Sequence, residues 1–138
     1  MKTETTDKLV SLEREISSER GEFSLFGLFL REDAQDSDKW DILVSAPWLE
    51  VNKKDGLEYL VNQIGKKLEP DELLSISRIV VLEKGNPVLQ AINKAVNVKH
   101  GRVEVRDSNF SGVQITQACI STSSAVNPII KRVGTGQK

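Results

Sequence analysis

The chain has 138 residues, 38% of them hydrophobic and 28% charged, with a formal net charge of −1. That length and balance suit one globular domain with a core of its own, and exclude a disordered or collagen-like chain. A single cysteine, Cys119, and a single histidine, His100, leave no internal disulfide and no Cys/His zinc set.

Residues 5–19 set Leu9, Leu12 and Ile16 at helical spacing among charges, with Thr and Asp ahead of them to cap the first turn. This predicts an amphipathic helix that ends at Gly21. Phe23–Leu30 then carries apolar residues on both faces: Phe23, Leu25 and Phe29 on one, Phe26, Leu28 and Leu30 on the other. Such a strand belongs in the middle of a covered sheet. Gly27 inside it signals a bulge or a close approach by another backbone. Glu32–Lys39 reads as a polar hairpin loop, and its acids lack the glycine and distal glutamate of an EF-hand. Trp40–Leu49 reads as the second buried strand.

Asp55–Leu68 aligns Leu57, Leu60, Val61, Ile64 and Leu68 on one face of a core-facing crossover helix, with lysines near its C-terminal end. Pro70–Leu74 reads as a short helical turn opened by proline, and Arg78–Glu83 as a third strand. Asn86 and Pro87 supply an N-cap and a first helical proline for a helix through Val96, with Val88, Leu89, Ile92, Ala95 and Val96 as its apolar set. Arg102–Arg106 alternates strictly and so has one wet face. Asp107–Gly112 reads as a loop, and Val113–Ile120 as a strand that closes a hairpin with it. Alternation in that strand puts Cys119 in register with Val113, Ile115 and Gln117, as a small buried residue.

From Ser121 the chain turns Ser/Thr-rich, then Gly/Lys-rich, and only Ile129, Ile130 and Val133 could anchor it. The expected fold is therefore α/β or α+β. It has a mixed sheet of about five strands, in the order helix-strand-strand-helix-strand-helix-strand-strand. One domain spans 1–121, and a loosely ordered tail spans 122–138.

Residues 1–75 contain 10 Lys+Arg against 17 Asp+Glu, whereas residues 76–138 contain 9 against 3. In a compact fold the two halves are expected to interleave, so that their charges meet across the packing. The overall acidity argues against tight nonspecific nucleic-acid binding, which needs many cationic contacts to phosphate. A local basic face from Arg78, Lys84, Lys94, Lys99, Arg102 and Arg106 is the alternative that would admit it. No run approaches the roughly 18 apolar residues of a membrane span. The N-terminus lacks the apolar core of a signal peptide, so the expected location is cytoplasmic.

Two candidate sites emerge from this layout. If the second and third strands form a parallel crossover, their C-terminal ends share the edge at which open α/β sheets bind ligands. That edge would gather Ser45, Trp48, Glu83, Lys84 and Asn86, although Glu83–Pro87 matches neither a P-loop nor a dinucleotide fingerprint. The second candidate is a carboxylate cluster for metal-dependent phosphodiester cleavage, from Glu13 or Glu15, Asp41, Glu104 and Arg106. It loosely resembles the arrangement in restriction-endonuclease-like enzymes and departs from it in having no E-x-K tripeptide. His100, between Lys99 and Gly101, reads as an exposed turn residue rather than a catalytic base. The reading that best fits is a non-catalytic interaction or accessory module, with no metal or cofactor, that binds a protein partner or a second copy of itself. A phosphate-ligand binder or nuclease is the alternative.

Overall fold

A computed structural model describes residues 1–33 and 39–124. The first helix, α1 (Thr3–Arg20), buries Leu9, Leu12 and Ile16 and stops where Gly21 adopts φ 117°, its N–H donating to the Ser17 carbonyl at 3.0 Å. Strands β1 (Leu25–Arg31) and β2 (Trp40–Ser45) pair antiparallel, as the two apolar runs require. The second run breaks earlier than expected. Pro47 cannot donate to a ladder, and it opens a short helix, α2 (Pro47–Val51), so Trp48 and Leu49 lie on a helical turn rather than on a strand.

Helix α3 (Lys53–Lys67) is capped by the Asn52 side chain, which accepts from the Asp55 amide at 3.1 Å. Leu60 and Ile64 form its buried stripe, while Val61, expected on the same face, is 52% exposed. The turn α4 (Pro70–Leu73) leads into β3 (Ile76–Val81), which runs parallel to β2 and completes the predicted crossover. Asn86 caps α5 (Pro87–Ala95) by accepting from the Val88 amide at 2.8 Å. Strands β4 (Val103–Phe110) and β5 (Val113–Ser123) form the second hairpin. Its turn is tight, with Ser111 at φ 53° and Gly112 at φ 91°, so most of the expected loop is strand. β5 also runs past Ile120 to Ser123, into the stretch read as tail; residues 34–38 of the acidic loop and 125–138 of the tail lie outside the described residues.

The result is an α+β fold whose five-stranded mixed sheet has the order β3-β2-β1-β5-β4. β1 is central and buried on both sides, as its two-faced apolar run demands. Its pairing with β5 slips twice, between Phe26 and Gly27 and between Leu30 and Arg31, leaving Ser121 and Thr116 of β5 as extra residues. Gly27 sits at the first slip, where an added Cβ would lie 2.7 Å from the Phe29 ring and 3.3 Å from the Cys119 carbonyl. The second slip reverses the facing of β5. Cys119 therefore packs toward α1 while Ile115 faces the opposite side, and the simple alternation that joined them fails.

The two sheet faces are covered unequally. Against one lie α1, α2 and α3, sealing Phe26, Leu28, Ile42 and Val44. The other, carrying Leu25, Phe29, Leu43 and Ile120, receives only α5 among the described residues. That helix leaves the β3 side of the sheet and is tied down near β1 and β5, where Asn93 Nδ2 donates to the Ser24 carbonyl and to Ser123 Oγ, each at 3.0 Å. Nine residues give about 13.5 Å of helix, just under three strand spacings of about 4.8 Å. Among the described residues α5 thus lies across one end of the face and leaves the other end uncovered.

Candidate ligand-binding site

At that other end the described residues line a half-open cavity of about 130 Å³. Phe29 of β1, Leu43 of β2 and Val80 of β3 form the floor, and Leu82 with Val88 and Ile92 of α5 form one wall. Phe110 and Val113, flanking the tight hairpin turn, and Ile115 of β5 form the other wall. Gly27 shapes the floor, because the missing side chain lets the Phe29 ring lie down over the sheet.

Three charged side chains close the far end. Asp41 stands on the strand position next to Ile42 and so on the opposite face from it, and only 4% of it is exposed. Arg31 Nε donates to Asp41 Oδ2 at 3.0 Å, and Arg78 Nη2 lies 3.2 Å from the same oxygen. Arg31 also donates through Nη1 to the exposed Asp33 at 2.9 Å. A carboxylate buried in an apolar strand requires such compensation. Asp41 inside the apolar run of β2 is therefore the sequence signal for this cluster, though nothing in the sequence says which cations answer it.

A second buried charge lies on the opposite face. Glu13, 0% exposed, sits on the Leu9, Leu12 and Ile16 stripe of α1. Ser17 Oγ donates to its Oε2 at 2.9 Å and Ser121 Oγ to its Oε1 at 2.8 Å, while His100 Nδ1 lies 2.9 Å from Oε2. The bulge at Ser121 is what aims that hydroxyl at α1. His100 is held in the left-handed region, φ 53°, by its own amide donating to Thr122 Oγ1 and its carbonyl accepting from Arg14, each at 3.0 Å. It is thus a partly buried partner of Glu13 and not the exposed turn residue expected. Both serines donate to the carboxylate, and Nε2 faces the Glu22 carboxylate at 3.6 Å. Among the described residues no hydroxyl nucleophile stands on the imidazole, and the group works as a clasp between α1 and the β5 bulge.

The fold uses the residues of the predicted sheet-edge site internally. The Ser45 carbonyl accepts from the Ser24 amide at 2.8 Å. Trp48 donates to the Gly21 carbonyl at 3.0 Å and packs edge-on against Phe23 and Tyr59. The Lys84 amide donates to Glu50 Oε2 at 3.0 Å, Glu83 is exposed, and Asn86 is the α5 cap. The carboxylate cluster is not assembled, because β2 places Asp41 on the α5 face whereas Glu13 packs on the α1 face. Glu104 and Arg106 are exposed on the edge strand β4. Among the described residues no three His, Cys, Asp or Glu side chains come together as a metal ion would need.

The basic residues of the second half are spent in part on acids of the first. Arg102 pairs with Asp7, Lys99 with Glu22 at 3.1 Å, and Arg78 with Asp41. The halves interleave, as expected of a compact fold. Burial pushes the Cys119 thiol above its ordinary pKa, which makes it a poor nucleophile. No helix among the described residues is long and apolar enough to cross a membrane. Comparison with family models, with curated proteins and with solved structures finds no match to the chain.

Proposed function

We propose that the protein is a non-catalytic binding module that holds an apolar group in the cavity between the sheet, α5 and the β4–β5 hairpin. The observation that carries this reading is the half-covered sheet face. Its open end is a concave apolar surface with a few convergent charged groups, the usual make-up of a ligand site. The lining offers binding surface and one salt-bridged carboxylate, with no hydroxyl or thiol placed for attack. One free, half-buried cysteine suits a reducing compartment such as the cytoplasm.

The test is a titration of benzene into methyl-labelled protein, followed by NMR. Saturable shifts of the Val80, Val88, Val113, Ile92 and Ile115 methyl signals are expected, and Val80→Phe, which fills the space, should abolish them while the protein remains folded. A wild-type methyl spectrum that does not move would remove the basis for the reading. A protein partner, or a second copy of the chain, would meet the sheet at β4, whose outer edge pairs with no described strand over eight residues. Light scattering across a range of protein concentrations tests for the second copy.

A further inference from the structure

The charged end of the cavity holds more hydrogen-bond donors than the described residues use. Arg31 is engaged on two sides, by Asp41 and by Asp33. Arg78 differs. The charge of Asp41 holds it at 3.2 Å, on the oxygen that already accepts from Arg31, and its guanidinium makes no hydrogen bond to another described residue. A guanidinium carries five N–H donors in a planar fork matched to a carboxylate. The fork is half-exposed, beside an apolar cavity, with no described residue accepting a hydrogen bond from it.

Granted that the cavity is a binding site, the geometry points to a small monocarboxylate as the ligand, its apolar body in the cavity and its carboxylate accepting from Arg78. The size is set by the volume, about 130 Å³, since an apolar cavity of about 150 Å³ accommodates one benzene ring. The body is therefore about five or six carbons. A single fork favours a carboxylate over a phosphate group, whose extra charge and oxygens call for more donors than Arg78 alone supplies. A free acid fits better than a peptide. The strands of the floor already pair with one another through their main-chain groups, so a peptide backbone laid there would leave its own amides without partners.

Hexanoate and 1-hexanol, which share a chain length, separate the two ends of the site when titrated into the full chain by calorimetry and methyl NMR at physiological salt. Hexanoate is expected to bind more tightly than hexanol. Arg78→Gln should weaken hexanoate by about ten- to a hundredfold, the worth of a charge-assisted hydrogen bond, and leave hexanol within about twofold. Equal affinity of the two probes for wild type, or unchanged hexanoate binding by Arg78→Gln, would overturn the carboxylate assignment while the cavity stands. If neither probe moves the cavity methyl signals of folded wild-type protein, the binding reading falls and the carboxylate with it.

Discussion

Glu13 is the residue on which local packing depends most. Its buried carboxylate gathers two serine hydroxyls and a partly buried imidazole, so removing it leaves two buried hydroxyls and one imidazole nitrogen without that partner. Glu13→Ala is expected to cost about 3 to 5 kcal/mol, read from the urea midpoint. Glu13→Gln, which keeps the shape and one acceptor oxygen, should cost less. In the core, Phe26 is 1% exposed, and Phe26→Ala should cost about 3 to 5 kcal/mol. Val80, in contrast, is only half-buried on the cavity floor. Val80→Ala enlarges a space already there and should fall below the range for Phe26. Glu13 itself was legible as a charge on an apolar stripe; its partner was not, because His100 reaches it from 87 positions away.

Among the elements, the contact between α1 and α4 responds to pH. The Glu72 carboxyl is held down at about 2, first by the Glu69 amide that its capping box engages, then by Lys8, with Thr5 adding a further bond. A carboxyl depressed in the folded state stabilises the fold above its unfolded pKa, and that contribution fades as pH falls. Stability should therefore decline from pH near 4.5 toward about 2, and Glu72→Gln should flatten this part of a thermal-melting profile against pH. Asn86 caps α5, and Asn86→Ala should cost about 1 kcal/mol by the same measurement. The starts of α4 and α5 were legible because their prolines and the Asn86 cap are local signals, whereas α1 begins at Thr3 and α3 at Lys53, ahead of the residues that read as their starts. The end of β2 and the two slips of β5 were not legible, because the first turned on how one proline would be used and the others on a partner strand far away in sequence.

At the scale of the whole molecule, the sheet order joins the two ends of the described chain and sets its two faces apart. The hairpins and the parallel crossover could be read from neighbouring segments, and so could the central place of β1, apolar on both sides. The insertion of β5 beside β1 could not, since no short-range pattern encodes it. The same gap hid the cavity: α5 was legible as a helix, but whether it ran along the sheet or across one end depended on Asn93 meeting Ser24 and Ser123.

Because Leu25 pairs with Ser123, the innermost strand has one flank finished early and the other among the last of the described residues to be made. Until β5 leaves the ribosome, a nascent chain displays a strand bearing Phe26, Leu28 and Phe29 that is paired with β2 on one edge and open on the other. Folding of such distant partners is slow, and an open apolar strand invites the wrong neighbour in the meantime. Fragments ending at the β4–β5 turn are therefore expected to aggregate or to be held by chaperones, and protease protection of β1 in stalled nascent chains should appear only when Ser123 has cleared the exit tunnel.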